Sequence, residues 1–263
     1  MSKFYSLFSG SKGNCSYIEN EFGGILIDAS PSYKLITESL SRNSIDLEKI
    51  HAVFITHEHS DHVGALKVLT KKLKVPVFAS EKVSAYLEER GLISPDTDLR
   101  PISEGGTYDI AGFGITPFKT LHDSVDCFGF SVQSGNSCLG YATDLGKVTP
   151  DVLQSLSKCD LVFLESNYDE NMLICGNYNR LLKMRIMGEK GHLSNYDCAE
   201  AISKLFGFGV NRFVLAHLSE ENNTPNIAEK ETVNALANLG AKYSNDYTLN
   251  ISSRNGLVSP IYF

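Results

Sequence analysis

The chain has 263 residues, 42% apolar and 21% charged, with 24 lysines and arginines against 31 aspartates and glutamates. That balance excludes intrinsic disorder and the fibrous and disulfide-scaffold classes. The acidic excess also argues against capture of nucleic acid by a broad positive surface, while leaving room for a local basic groove.

No run approaches the roughly 18 consecutive apolar residues of a membrane span. Met1–Gly13 lacks the apolar core and cleavage site of a signal peptide. The expectation is one cytoplasmic domain over residues 1–263 with no membrane partner. Taken in order, Lys3–Phe8, Cys15–Glu19 and Gly24–Asp28 read as short strands separated by Gly/Ser turns. Ser32–Leu40 reads as a helix with Pro31 near its start. Ile50–Ile55 is a buried strand, and Val63–Leu73 has helical spacing. Val77–Ala79 is a strand and Glu81–Glu89 a helix. Thr107–Ala142 is β-rich, with a hairpin turn at Ser134-Gly135-Asn136. Then follow helix Pro150–Leu156, buried strand Leu161–Glu165, helices Asn179–Met187 and Asn195–Phe206, strand Phe213–Ala216 and helix Ile227–Leu239. Strands first, then β-α alternation, imply an α/β sandwich of mixed sheets flanked by helices.

The six cysteines include no Cys-x-x-Cys pair, so a zinc ribbon or thioredoxin-type site is not expected and all six read as reduced. Chemistry concentrates instead at His57-Glu58-His59-Ser60-Asp61-His62, between strand Ala52–Ile55 and the helical run from Val63. Neutral imidazoles and a carboxylate suit zinc, manganese or iron, and loops at strand ends are aimed by a rigid sheet. So many donors in one tight loop exceed what a single tetrahedral ion takes, which suggests sharing between two ions. His51 opens the strand without an acidic partner and reads as structural.

The pattern His57-x-His59-x-Asp61-His62 resembles the signature of the metallo-β-lactamase superfamily, whose fold is a four-layer αββα sandwich with two mixed sheets packed face to face. Further segments resemble its other motifs in the same order: Leu26-Ile27-Asp28, Thr120-Leu121-His122-Asp123, Tyr141-Ala142-Thr143-Asp144 and Leu215-Ala216-His217-Leu218-Ser219. The resemblance implies two divalent metal ions (Zn2+, Mn2+ or Fe2+). One would take His57, His59 and His122, the other Asp61, His62 and His217, with Asp144 as the bridge and Asp28 bracing the loop. Asp61 would also orient the attacking water.

Leu164-Glu165-Ser166-Asn167-Tyr168-Asp169 and Gly191-His192-Leu193-Ser194-Asn195 resemble elements of the superfamily's phosphodiesterase branch. There a comparable histidine is thought to assist the leaving oxygen. By this resemblance His192 is the general-acid candidate and Glu165 its orienter, with Ser194 and Asn195 as neighbouring substrate contacts. The physics is coherent, since an alkoxide leaving group needs a proton and a carboxylate keeps an imidazole charged and aimed. Together with Ser9–Asn14 and His217–Pro225, these segments resemble the YycJ/WalJ (VicX) group of bacterial metallo-hydrolases. That group is linked to 5′–3′ exonuclease activity on DNA and to replication and repair. Asp144 to Glu165 is too short for a β-CASP insertion, and neither a tRNA-gripping arm nor a glyoxalase II-type helical domain is evident.

Arg180, Lys183, Arg185 and Lys190 precede His192 and offer a basic helix for a nucleic acid backbone, while Tyr168 or Tyr178 offers a ring to stack on a base. Ser9–Asn14 reads either as a turn joining two strands or as a cradle for a phosphate through its backbone N–H groups, and Lys67, Lys71, Lys72 and Lys74 read as solvated surface. The leading expectation is a dinuclear metal phosphodiesterase, a 5′–3′ DNA exonuclease, with replication or repair proteins as conceivable partners. Two other classes compete: a hydrolase of a thioester, lactone or cyclic phosphodiester, and a non-catalytic metal-binding partner protein.

Overall fold

Strand by strand, side chains that alternate in sequence are apolar on both faces, so each sheet must be covered twice. The computed structural model describes residues Met1–Phe263 and shows how this is done. One sheet holds β1 (Lys3–Phe8), β2 (Cys15–Asn20), β3 (Gly23–Ile27), β4 (Ile50–Phe54), β5 (Val77–Ser80) and β6 (Leu99–Ile102). The other holds β7 (Tyr108–Ile110), β8 (Phe113–Lys119), β9 (Phe128–Ser134), β10 (Ser137–Ala142), β11 (Leu161–Glu165), β12 (Arg212–Ala216) and β13 (Thr248–Ile251). The C-terminal β14 (Ile261–Tyr262) returns to pair with β1 in the first sheet. Both sheets are mixed: β3–β6 run parallel, as do β10–β13, beside antiparallel hairpins.

The helices are α1 (Tyr33–Arg42), α2 (Ser60–Val63), α3 (Leu66–Leu73), α4 (Glu81–Glu89), α5 (Pro150–Leu156), α6 (Glu170–Cys175), α7 (Arg180–Ile186), α8 (Asn195–Gly207) and α9 (Pro225–Asn238). Three apolar layers result. Ile25, Ile27, Phe54, Phe130 and Phe163 fill the space between the sheets. Leu26 and Val53, on the opposite face, meet Leu40 of α1, Leu69 of α3 and Leu87 of α4. Val162, Leu164 and Phe213 meet Leu156 of α5, Ile202 of α8 and Leu236 of α9. Edge-on ring pairs cross between the sheets, Phe4 to Phe163 at 5.1 Å and Phe54 to Phe130 at 5.8 Å. This is the expected αββα arrangement. No helix is long and apolar enough to cross a membrane.

The helical run expected over Val63–Leu73 is broken. The Ala65 amide bonds to the Ala29 carbonyl at 2.8 Å, and the Ala29 amide to the His62 carbonyl at 2.7 Å. The segment after β3 is thereby zipped across the junction of α2 and α3. A side chain at Gly64 would lie 2.8 Å from the Ser60 carbonyl oxygen, so this close approach requires glycine. The short β6, β13, β14 and α6 carry weak periodicity and escape the sequence reading.

Candidate metal centre

The carboxyl ends of β3, β4, β10, β11 and β12 converge on one edge of the sandwich, where polar residues continue each apolar strand. Ligands favour this edge in sheets with parallel strands. Three of the residues there, Asp28, Asp144 and His217, hold left-handed backbone conformations with φ of 61°, 56° and 53°. Such conformations cost non-glycine residues of order 1 kcal/mol and collect where side-chain placement matters more than backbone comfort. Each follows its strand directly or after one residue, and turns a polar side chain inward as the chain leaves the sheet.

Hydrogen bonds set the imidazoles. The buried Asp28 carboxylate accepts from the Thr56 amide at 2.9 Å, the Thr56 hydroxyl at 3.0 Å and His62 Nδ1 at 2.8 Å. His122 Nδ1 donates to the Gly191 carbonyl at 3.0 Å. Gly191 is pressed on the end of α7, where a side chain would lie 2.1 Å from the Ile186 carbonyl oxygen. His217 Nδ1 donates to Glu165 Oε1 at 2.8 Å. With these Nδ1 atoms committed, the Nε2 lone pairs of all three rings face inward, the usual preparation of a metal-binding histidine.

The inward atoms face one another as acceptors. His62 Nε2 lies 3.2 Å from Asp144 Oδ2 and 3.5 Å from Asp61 Oδ2. His122 Nε2 lies 3.3 Å from His59 Nδ1 and 3.8 Å from Asp144 Oδ1. His57 Nε2, His217 Nε2 and Asp144 Oδ2 are buried without any hydrogen-bond partner. Orphaned acceptors in contact call for a cation between them. Donor atoms of His57, His59 and His122 lie within 4.8 Å of one another, as do those of Asp61, His62 and His217, and those of His57, His62 and Asp144. All seven residues expected as ligands are thus together, in overlapping groups of which one also joins Asp144 and His217 to Glu165 and His192, and the donor set fits divalent ions. Burial pushes His57 and His122 down, favouring the neutral ligating form. Burial also opposes charge on His62 and His217, but the surrounding carboxylates together outweigh it, Asp144 with Asp28 at His62 and Asp144 with Asp61 and Glu165 at His217, and raise both. That demand for positive charge is one a divalent ion satisfies.

His192 sits at the edge of this cluster, its Nδ1 2.8 Å from Glu165 Oε1 and 3.7 Å from Asp144 Oδ1. Burial opposes a charge on His192, and the Glu165 and Asp144 carboxylates together outweigh it, raising the pKa. Glu165 is completely buried, and its Oε2 accepts from the Leu145 and Leu193 amides at 2.9 and 3.3 Å. The expected His192–Glu165 pair is therefore present, and the same Oε1 also holds His217, a link the sequence does not announce.

Residues 24–218 match the model of the Beta-lactamase superfamily domain. The chain belongs to this superfamily. Exodeoxyribonuclease WalJ of Streptococcus pneumoniae serotype 2 is 34% identical to it over 237 residues, 89% of this chain and 88% of that protein. Exodeoxyribonuclease YycJ of Bacillus anthracis is 30% identical over 240 residues, 90% of each chain. Among solved structures, the metallo-beta-lactamase fold protein YhfI of Bacillus subtilis shares the fold, with a TM-score of 0.73 over 97% of this chain and 98% of that one at 16% identity. With that family match and two relatives named exodeoxyribonucleases over most of the chain, the chain is a metal-dependent hydrolase.

The expected substrate contacts need correction. Ser194 is buried and caps α8, its hydroxyl accepting from the Asp197 amide. Asn195 is buried in a reciprocal amide pair with Asn223, at 2.9 and 2.8 Å, and accepts from the Ser166 hydroxyl. The Tyr168 ring is only 5% exposed, too enclosed for a base to stack on it. Lys183 Nζ donates to the Ile174 and Gly176 carbonyls at 2.7 Å each, tying α7 to the end of α6. Of the basic helix, Arg180 is exposed, and Arg185 is paired with Asp123 beside the ligand His122. His51 lies on exposed β4 surface, away from the cluster, as expected. Sequence reasoning missed Thr56 and Asn14. Thr56 binds Asp28, and its hydroxyl lies 3.0 Å from His57 Nδ1. Asn14 Nδ2 lies 3.0 Å from His62 Nε2, while its Oδ1 closes the Ser9–Asn14 turn on the Gly10 amide. Ser9 at the other end of that turn accepts from the His217 amide at 2.8 Å, so the turn braces the centre at both ends.

Proposed function

We propose that this chain is a dinuclear metal-dependent phosphodiesterase that digests DNA as a 5′–3′ exonuclease, in the cytoplasm, in replication or repair. The observation that carries the reading is Glu165 Oε1 holding His192 Nδ1 at 2.8 Å, 3.7 Å from Asp144. Hydrolysis of a thioester expels a thiolate that departs without a proton and has little use for such an acid, whereas a sugar alkoxide needs one. Two relatives, each matched over most of its length, are named exodeoxyribonucleases. The full ligand set argues against a non-catalytic role.

His57, His59 and His122 would hold one ion, Asp61, His62 and His217 the other, with Asp144 shared. Divalent ions at such a site lower the pKa of water enough for attack at neutral pH and neutralise charge on phosphoryl oxygens. Asp61, which is partly exposed, orients the attacking water. His192, charged and aimed by Glu165, donates its Nε2 proton to the departing sugar oxygen. Asp28 and Thr56 keep the ligand loop rigid, so the donors need no rearrangement.

The test is product analysis on 5′- and 3′-end-labelled single- and double-stranded DNA, with Zn2+, Mn2+ or Fe2+ and with chelator. Release of mononucleotides from the 5′ end, abolished by chelator, is expected. No metal-dependent cleavage of any DNA would overturn the proposal.

A further inference from the structure

Beside His59 the surface opens into a cavity of about 750 Å3 between α3 and α4. Its walls include Val63 and Val68 from the segment after the ligand loop and Tyr86 of α4, with Lys67 and Arg90 at its sides. Both cations are exposed, and neither has an acidic partner. The Arg90 guanidinium sits 5.4 Å from the centre of the half-exposed Tyr86 ring. The acid at this cavity, Glu58, is buried, and its Oε1 accepts from the Val125 amide at 2.9 Å. In a chain of net charge -7, two unpaired cations flanking an aromatic and apolar wall are a local reversal of sign. They border a ligand of the metal centre, since His59 itself lines the cavity. Cations for phosphate with an aromatic wall for bases are how single strands are held.

We infer that this cavity is a subsite for single-stranded DNA: it takes a nucleotide flanking the scissile phosphodiester, the phosphate between Lys67 and Arg90 and the base against Tyr86 and Val68. The inference rests on the proposed nuclease activity and adds to it where the strand lies. It also reassigns Lys67, which the sequence placed with the solvated lysines of α3.

The experiment compares the parental chain, the double variant Lys67→Ala/Arg90→Ala and the control Lys71→Ala/Lys72→Ala on a short 5′-phosphorylated oligodeoxynucleotide. Thermal melting checks the folding of each. The double variant should raise KM about tenfold and flatten the dependence of log kcat/KM on log salt by about 1.4, two contacts at about 0.7 each for a single strand. The control should change neither. A single abasic position should raise KM for the parental chain and leave the Tyr86→Ala variant unaffected, which places the base on that ring. If the parental chain digests DNA and the double variant matches it in KM and salt slope, the subsite is wrong while the nuclease reading stands. If the parental chain hydrolyses bis(p-nitrophenyl) phosphate but no DNA, both fall.

Discussion

Glu165 and His217 are joined by a hydrogen bond of 2.8 Å through the same carboxylate oxygen that holds His192. One buried acid therefore aims both a metal-facing imidazole and the proposed proton donor. Glu165→Gln retains the shape and removes the charge. Because a partner behind a ligand is worth about 10–100-fold in metal affinity or activity, this variant should lose in both together. Equilibrium dialysis of metal alongside turnover checks the coupling. Normal metal affinity with lost turnover would confine Glu165 to His192.

His192→Ala should separate the two functions. It removes the candidate acid while leaving the seven ligand residues in place. Turnover on DNA should fall by about 10²–10⁴-fold at unchanged metal content. The loss should shrink on an activated p-nitrophenyl phosphodiester, whose leaving group departs without a proton. Equal losses on both substrates would count against the acid role.

Removing metal should cost stability. Without a cation, orphaned acceptors such as His57 Nε2 and Asp144 Oδ2 remain buried and facing their neighbours. A ligand that binds only the folded state stabilises it by about 2.7 kcal/mol at a hundred times its Kd. Melting temperature should therefore drop with chelator and climb with added Mn2+ or Zn2+. Asp28→Asn, which disturbs the anchor of His62 Nδ1 and Thr56, should shift that titration to higher metal concentration. A melting temperature indifferent to metal would argue against an ion at this centre.

Asn195→Ala should behave as a structural lesion. It strands the buried Ser166 hydroxyl, at a cost of about 1–3 kcal/mol, and takes two bonds from Asn223, whose amide keeps the Ser166 and Asn167 carbonyls. Chemical denaturation should register this, while KM for an oligonucleotide stays at the parental value. A raised KM at unchanged stability would restore Asn195 as a substrate contact.

Thiol reactivity offers a check on the core. Cys175 is exposed and the other five cysteines are buried. A thiol reagent should label one cysteine quickly in the native protein and the remainder only on unfolding.

The layered fold and the ligand set were legible because they depend on local order: apolar strands ending in His, Asp or Glu, repeated from one strand to the next. Asp28, Asp144 and His217 each close an apolar run, whereas His122 follows the polar Lys119-Thr120, and it is the order of the motifs in the superfamily the chain resembles that marks His122, Asp144 and His217 as ligands. What stayed hidden depends on distance. Asn14 reaches His62 across 48 positions, and Glu165 reaches His217 across 52. The basic residues misled because charge in sequence does not reveal what a side chain is already bonded to. Lys183 is occupied by two carbonyls, whereas Lys67, grouped with solvated lysines, borders the cavity beside His59.

The left-handed turns at Asp28, Asp144 and His217 bear on any effort to re-engineer this centre for another ion. Asparagine, aspartate, histidine and glycine settle readily at such φ values, and β-branched or bulky residues do not. A designer wanting glutamate or cysteine donors at 144 or 217 adds a backbone cost of order 1 kcal/mol to the change of side chain. The chain's geometry has narrowed the palette of workable coordination chemistries before any affinity is measured.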